Sequence, residues 1–363
     1  MTAGFGEDDV VTPTGRTRTV GEVGERRLIA VLARAAELPS ARDARTVADH
    51  DDPPGRDIVI GSGDDAAVID TAGPTVISVD TAVEGRHFRL DWSAPHQIGA
   101  RAVVQGAADI AAMGARTTGV VVSIACPPTT LVGTVLDLDA GIVAATHRLG
   151  ARVLGGDLVA AEQLVVSVTA VGRLDGIAPI VVGGAQVGDE LAVSGPLGGC
   201  AAGLAVLRAV ESGGDRALLD RYARLVEAYR LPDPDLAQGV AAARCGAHAL
   251  TDISDGLIEE LRTLAAASRV RVEIDSDRLP RVGSLAAAAR DLDVDLREWT
   301  LAGGEDHELL GAFPSGTIPP GWTVIGAVTH SDTSGSVIVD GTAAGALRGW
   351  QSFADIEPDG RRR

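Results

Sequence analysis

The sequence predicts an α/β or α+β protein with two domains, on three observations. The chain has 363 residues, which is long for one ordinary core. Short β-branched segments and helical patterns occur together in both halves. A glycine-rich stretch at 174–190 separates the halves. We therefore expect a loose tail at 1–20, an N-terminal domain at 21–180 and a C-terminal α/β domain at 181–363.

The elements of the N-terminal half follow from the spacing of apolar residues. Residues 1–20 show no period, whereas 22–37 carry apolar residues at helical spacing. Alternation and β-branched content predict strands in 57–70, 75–88, 117–127, 151–157 and 162–173. Alanine-rich or amphipathic patterns predict helices at 96–115 and 130–150.

The C-terminal half repeats this mixture. Strands are expected at 190–195, 248–253 and 269–274, and across a β-rich end from 307 to 341. Helices are expected after "GPLGG" (195–199), at 256–268 and near 283–291. Neither half contains a short-period repeat.

Composition excludes several classes of protein. The net charge of −18 and pI of about 4.7 oppose binding to nucleic acid or to an anionic membrane. No apolar run reaches the ~18 residues of a membrane span, and the N-terminus lacks a signal-peptide pattern. We expect a cytoplasmic protein. The chain contains no lysine, and all 32 of its Lys and Arg residues are arginine. This excludes a Walker A or protein-kinase lysine.

Cysteine and histidine give no metal signal. The three cysteines are far apart and are expected to be buried thiols, and the seven histidines lack zinc-site spacing. Acidic residues instead recur in six short motifs, most of them where a β-branched segment ends or beside a glycine, where α/β folds bind ligands. The motifs are "GSGDD" (61–65), "SVD" (78–80), "GAAD" (106–109), "GGD" (155–157), "TDISD" (251–255) and "GGED" (303–306).

Each motif alone is more typical of a solvated turn or a helix cap than of a ligand site. Six together favour multi-metal phosphoryl chemistry, because carboxylates are ligands for Mg²⁺ and neighbouring glycines let backbone N–H groups approach phosphate. A hydrolase using a carboxylate pair as acid and base is the alternative, but it needs two carboxylates rather than six. The candidate ligands are Asp65, Asp80, Asp109, Asp157, Asp252 and Asp255.

Three further features have two interpretations each. His87 and Trp350 could face a flat ligand or could be packing residues. The glycine loop "SGPLGG" (194–199) occurs in anion sites and in plain turns alike.

The motifs together resemble the thiamine-monophosphate kinase family, within the superfamily of aminoimidazole ribonucleotide synthetase. "IGSGDDAAV", "SVDTAVEGRHF", "AADIAAMGA", "LGGD", "DISDGL" and "LAGGEDHEL" occur in the family's order across about 20–353. The resemblance implies an enzyme that transfers the γ-phosphoryl group of ATP to thiamine monophosphate, giving thiamine diphosphate. It also implies a homodimer, whose N-terminal domains form an interface β-barrel, and several Mg²⁺ ions.

The resemblance also assigns roles to residues. Mg²⁺ ligands would be Asp65, Ser78, Asp80, Asp109, Asp157, Asp252 and Asp255. ATP contacts would be Gly156, Asp157 and Ser254, and residues facing the thiamine phosphate would be His87, Glu305 and Trp350. No general base is expected, because the attacking phosphate oxygen is already ionised.

The sequence differs from the family's pattern at four positions. Val79 stands where a hydroxyl residue is frequent, and Val182 stands where an arginine is common, whose role Arg173 could take. Asp235 replaces a basic residue, and His307 replaces an aromatic one. A sister ATP-dependent synthetase of the superfamily and a Mg²⁺-dependent phosphohydrolase are the alternative functions. "GRHF" and "GGED" favour the thiamine enzyme.

Overall fold

The computed structural model describes residues 7–37, 58–60, 66–71, 73–330 and 335–351. The chain divides into two compact units, the N-terminal unit (Met1–Ala178) and the C-terminal unit (Pro179–Arg363). Both units combine helices and strands, so the predicted mixed α/β class is confirmed. None of the helices in the described ranges is both long and apolar enough to cross a membrane.

The described part of the N-terminal unit is a four-stranded sheet covered by helices. The strand order is β3-β6-β4-β5, with β4 and β5 parallel and the other pairs antiparallel. Helices α5 and α6 pack against each other, and α5 packs on β3 and β6. The helices are α1 (Glu7–Val10), α2 (Pro13–Arg16), α3 (Val20–Val23), α4 (Glu25–Glu37), α5 (Pro95–Ala112) and α6 (Val132–Arg148). The strands are β1 (Ile58–Ile60), β2 (Val68–Ile69), β3 (Thr75–Val83), β4 (Arg116–Cys126), β5 (Arg152–Ala160) and β6 (Val165–Arg173).

The loose tail expected at 1–20 is wrong for its described part, which contains α1, α2 and the start of α3. Thr12 and Thr19 cap α2 and α3 with their side chains, and Arg16 forms an ion pair of 2.5 Å with Asp137 of α6. Short helices stabilised by caps and a non-local ion pair leave no periodic pattern in the sequence, which explains the error.

Strand β3 exposes apolar side chains and partly buries polar ones. Ile77 and Val79 are 66% and 63% exposed, whereas the intervening Ser78 and Asp80 are half-buried. Because successive side chains of a strand point to opposite faces, Ser78 and Asp80 face α5 and the apolar pair faces outward. The sheet is open in the described residues, so the expected interface barrel would need strands from a second copy.

The described part of the C-terminal unit is built on a seven-stranded sheet of order β13-β12-β9-β11-β7-β10-β8. Only β12 and β9 are parallel among these pairs. The strands are β7 (Glu190–Val193), β8 (Ala249–Asp252), β9 (Arg271–Ile274), β10 (Leu309–Phe313), β11 (Thr323–Thr329), β12 (Ser336–Val339) and β13 (Thr342–Ala343).

Helices complete the C-terminal unit. Helix α11 supplies Leu257, Ile258, Leu261 and Leu264 to a core shared with the central strands, and all four are fully buried. The helices are α7 (Gly199–Glu211), α8 (Ala217–Arg221), α9 (Ala223–Arg230), α10 (Ala237–Arg244), α11 (Leu257–Ser268), α12 (Leu285–Asp291) and α13 (Leu296–Ala302). Burial of these apolar faces places the end of β8 and the start of α11 side by side, where the acidic residues of "TDISD" lie.

Candidate functional site

The N-terminal group of polar residues (Ser78, Asp80 and Asp109) lies between β3 and α5. The Ser78 hydroxyl donates a short hydrogen bond to Oδ2 of Asp109. Between Ile98 and Ala112 of α5, Asp109 is the one residue that is not buried. Asp80 follows Ser78 by two residues and shares its face of the strand. The structure therefore brings three predicted Mg²⁺ ligands to one side of the sheet.

Asp157 does not join this group within the unit. It lies on β5, the opposite edge strand from β3, and two strands at ~4.8 Å spacing lie between them. Its carboxylate accepts a hydrogen bond of 2.9 Å from the N–H of Leu158. At Gly156 a Cβ atom would come within 2.3 Å of the Val122 carbonyl oxygen, so tight strand packing alone requires this glycine. Asp65, the remaining predicted ligand, lies outside the described residues.

His87 lies in the turn that follows β3. Its Nδ1 accepts a hydrogen bond of 3.1 Å from the Val83 N–H. A neutral imidazole that accepts at Nδ1 carries its proton on Nε2. The ring is half-buried and can therefore donate from Nε2 to a ligand oxygen.

The C-terminal group (Asp252, Ser254, Asp255, Glu305 and Trp350) forms where β8 ends. Gly256 begins the turn into α11 with φ of 105°, and a Cβ there would lie 2.7 Å from the Ala302 carbonyl oxygen. The position therefore requires glycine for both conformation and space. This turn leaves Asp252 buried at the strand end and Asp255 exposed two residues before the helix.

Two backbone hydrogen bonds hold the other members of the group in place. The N–H of Glu305 donates to the Ser254 carbonyl oxygen at 2.7 Å, and the N–H of Trp350 donates to that of Asp255 at 2.9 Å. Segments distant in the sequence thus meet at one short loop. Five residues that the resemblance assigns to metal, ATP or thiamine phosphate are neighbours in the structure, and their roles stay predictions.

His307, noted in the sequence only as a departure, is central to this group. It is 2% exposed and lies between two carboxylates, with Nδ1 3.1 Å from Oδ2 of Asp252 and Nε2 3.5 Å from Oε2 of Glu305. Burial lowers the pKa of the imidazole, but the hydrogen bonds to Asp252 and Glu305 and their charges outweigh burial and raise that pKa to about 10. The raised pKa favours the protonated imidazole, in which both ring nitrogens carry a hydrogen-bond donor.

The carboxylates of the C-terminal group repel one another. Burial and then the charges of Glu305, Asp252 and Glu259 raise the pKa of Asp255. Burial and the charge of Asp252 raise the pKa of Glu260 on α11 to about 8, although a hydrogen bond from the Asp255 N–H opposes this shift. Crowded carboxylate oxygens are a donor set that fits a hard cation such as Mg²⁺. In the described ranges no set of three or more His, Cys, Asp or Glu side chains is arranged as a metal site. Substrate phosphate would therefore have to supply further ligands.

Asp306 explains the glycine loop "SGPLGG". Its carboxylate accepts hydrogen bonds from the N–H groups of Gly198 at 2.6 Å and Cys200 at 2.9 Å, at the N-terminus of α7. Burial raises the pKa of this carboxyl to about 6, against the effect of these two bonds. The anion at this helix start is therefore the protein's own side chain. The sequence signal was the acid in "GGED", but its partner lies over a hundred residues away.

The departures from the family pattern have structural explanations. Val79 faces away from Ser78 and Asp80, so its side chain cannot join them. Val182 packs against the core of the C-terminal unit. Arg173 forms an ion pair with Asp175, which also pairs with Arg116 at 3.3 Å.

Comparison with known proteins identifies the family of the two domains. Residues 63–174 match the AIR synthase related protein N-terminal domain, and residues 186–318 match the C-terminal domain of the same family. The chain is 41% identical over 344 residues to a thiamine-monophosphate kinase of Mycobacterium tuberculosis, covering 94% of each chain. It is 38% identical over 339 residues to that of Corynebacterium glutamicum, covering 92% of this chain and 95% of the relative.

Solved structures agree with this assignment. A thiamine-monophosphate kinase from Stenotrophomonas maltophilia is 30% identical with a TM-score of 0.69, covering 80% of this chain and 93% of that one. AaThiL complexed with AMPPCP and TMP is 27% identical with a TM-score of 0.68, covering 91% and 97%. The chain belongs to the thiamine-monophosphate kinase family, which confirms the resemblance.

Proposed function

We propose that the protein is a thiamine-phosphate kinase, which transfers the γ-phosphoryl group of ATP directly to thiamine monophosphate and yields thiamine diphosphate and ADP. The observation that carries this proposal is the C-terminal group, in which Asp252 and Asp255 of one short segment meet Glu305 and Trp350 from two distant segments. Support for the substrates comes from the relatives' names and from the neighbour that holds AMPPCP and TMP. We expect the reaction to take place in the cytoplasm, where ATP is available.

The chemistry needs positioning and charge neutralisation more than a general base. The attacking oxygen belongs to a phosphate that is already ionised near neutral pH, and the main obstacle is repulsion between two polyanions. The residues that would hold Mg²⁺ are Asp65, Ser78, Asp80, Asp109, Asp157, Asp252 and Asp255. Mg²⁺ bound there supplies the positive charge that lysine supplies in other kinases.

The remaining side chains would bind and orient the substrates. Trp350 is 37% exposed, so part of its side chain is accessible, and an indole can stack on a flat, positively charged thiazolium ring. His87 can donate from Nε2 to a phosphate oxygen, and Ser254 with Gly156 and Asp157 would contact ATP. Glu305 would face the thiamine phosphate, and its orientation depends on its hydrogen-bond partners.

We further propose a homodimer formed through the outward face of the four-stranded sheet. Ile77 and Val79 of β3, Val121 of β4 and Val159 of β5 are between 39% and 66% exposed. Exposed apolar side chains on one face of a sheet are typical of a protein interface. Light scattering should give twice the chain mass for the wild type and a monomer for Ile77→Glu. A monomeric wild type would contradict this proposal.

The test of the activity is incubation of the purified protein with ATP, Mg²⁺ and thiamine monophosphate, followed by chromatography of the thiamine products. Thiamine diphosphate should form only when all three are present. Loss of ATP that does not depend on thiamine monophosphate would instead support the phosphohydrolase, and ATP use with a different acceptor would support a sister synthetase.

A further inference from the structure

His307 lies at the centre of the C-terminal group, yet nothing in the proposed reaction uses it. Its two ring nitrogens face different carboxylates, Asp252 at 3.1 Å and Glu305 at 3.5 Å. The exposed fractions of the three side chains are 10% for Asp252, 2% for His307 and 26% for Glu305. The ring thus connects a well-buried carboxylate to a more accessible one.

The backbone around His307 is fixed independently of its ring. The N–H of His307 donates to the Ile253 carbonyl oxygen at 3.0 Å, and the N–H of Glu305 donates to that of Ser254 at 2.7 Å. Loss of the imidazole therefore leaves the loop attached to the end of β8. What the ring adds is a contact to the Glu305 carboxylate, which bears on the direction of that side chain.

The loop also carries backbone strain at these positions. Glu305 and His307 both adopt left-handed conformations, with φ of 71° and 55°. Such conformations cost about 1 kcal/mol or more for residues other than glycine and persist where surrounding contacts enforce them. In this conformation successive side chains of the loop point in opposite directions. Asp306 reaches α7, whereas Glu305 and His307 reach the end of β8.

We infer that His307 is a positioning residue: anchored on Asp252, its imidazole aims the Glu305 carboxylate at the thiamine phosphate. The inference rests on the proposed function, which gives Glu305 its substrate. The two ring nitrogens each lie within hydrogen-bond distance of a different carboxylate, so the rigid imidazole plane links the Asp252 and Glu305 side chains. The ring thereby holds Glu305 without contacting substrate itself.

The chain contains a matched control in His248. Its Nδ1 lies 2.9 Å from Oδ1 of the buried Asp189, and it immediately precedes β8, at the other end from Asp252. Each histidine therefore lies beside one end of β8 and contacts a carboxylate, Asp189 for His248 and Asp252 for His307, but of the two only His307 has a second carboxylate within hydrogen-bond distance. A purely structural role for His307 predicts that the two substitutions have the same kinetic consequences.

The test is a double-mutant cycle on the full chain. We expect His307→Phe to raise the KM for thiamine monophosphate about tenfold, with a smaller change in the KM for ATP, and to have no further effect in a Glu305→Gln background, because contacting residues couple by amounts of this size. His248→Gln should leave both KM values unchanged. Calorimetric titration of thiamine monophosphate into the protein without ATP should show the same loss of affinity, as a readout independent of turnover.

Each outcome decides the inference. If His307→Phe does not fold, His307→Gln replaces it, since both of its N–H donors are on one nitrogen, which cannot occupy the positions of both ring nitrogens. This variant should give the same loss of thiamine monophosphate affinity. Unchanged affinity for thiamine monophosphate in a folded His307 variant, or a full additional loss in the Glu305→Gln background, would overturn the inference while leaving the kinase activity intact. A wild type that neither binds nor phosphorylates thiamine monophosphate would overturn the proposed function and this inference together.

Discussion

In the N-terminal unit, Ser78 and Asp109 lie within a strand and a long helix, and they contact each other because the helix packs on the strand. In the C-terminal unit, Asp252, Asp255 and Glu305 lie at a strand end and in loops, and hydrogen bonds to the backbone and to His307 bring them together. The N-terminal group is thus positioned by regular secondary structure, and the C-terminal group by non-local loop contacts. The geometry of the C-terminal group should therefore be more sensitive to substitution of neighbouring residues.

The largest effect should follow removal of one carboxylate from either unit. Asp109→Asn and Asp252→Asn should each lower kcat by at least about 100-fold, because each removes a charge that balances the transferring phosphoryl group through Mg²⁺. Steady-state assays of thiamine diphosphate formation measure this. Asp137→Asn, an exposed acid of the N-terminal unit paired with Arg16, is the control and should be fully active. Full activity in either site variant would exclude the metal role of that residue.

The same two variants should differ in stability. Asp252→Asn removes the charged partner of the buried His307 and should lower the free energy of unfolding by about 1–3 kcal/mol. Asp109→Asn should cost little, because its amide oxygen can still accept from the Ser78 hydroxyl. Thermal melting of both variants checks this. Equal destabilisation would contradict the distinction between the two units.

The sequence pattern predicts the elements that carry the N-terminal group, but not the loop contacts of the C-terminal group. The elements around Ser78 and Asp109 have clear periods, since β3 alternates and α5 is a long apolar helix, and both were predicted near their observed bounds. The convergence of Asp252, Asp255, Glu305 and Trp350 could be predicted only through the family resemblance. Local pattern carries no information on which distant loops meet.

Other features had no sequence signal. The bridge formed by His307 and the cap that Asp306 provides for α7 depend on side-chain directions in a strained loop. The burial of Glu260 depends on which face of α11 meets the sheet. The short helices between residues 7 and 20 depend on caps and an ion pair rather than on a period. Single-residue contacts of this kind are decided by tertiary packing.

The N-terminal unit also contains an isolated buried acid, which contrasts with the crowded acids of the C-terminal unit. Burial of Asp139 on α6 raises its pKa from 3.8 to about 7. The folded state therefore holds a proton that the unfolded state loses, so the contribution of Asp139 to stability is fully present below about pH 4 and is lost as the pH rises to about 7. At ~1.4 kcal/mol for each unit of pKa shift, the loss is a few kcal/mol.

Asp139→Asn should remove this loss. Its melting temperature should match the wild type near pH 4 and exceed it at pH 8, where the wild-type carboxylate is charged, while kcat stays unchanged. Differential scanning calorimetry across this range measures the difference. A melting temperature below that of the wild type at pH 8 would show that the Asp139 carboxylate stabilises the fold instead.

A smaller effect is expected from the cap on α7. Asp306→Ala leaves the N–H groups of Gly198 and Cys200 without their acceptor and should cost about 1–2 kcal/mol. Asp295→Ala, which removes a local cap from α13, is the matched control and should cost about 0.5–1 kcal/mol. Urea unfolding compares the two. If Asp295→Ala lowered the free energy of unfolding as much as Asp306→Ala, the non-local cap would stabilise the fold no more than a local one does.

The central claim, that the two acidic groups serve phosphoryl transfer to thiamine monophosphate, is tested most directly by the stoichiometry of the reaction. Purified protein with ATP, Mg²⁺ and thiamine monophosphate should form thiamine diphosphate and ADP in equal amounts, and Asp252→Asn should form neither. Absence of thiamine diphosphate from the wild type, or ADP formed without it, would contradict the claim.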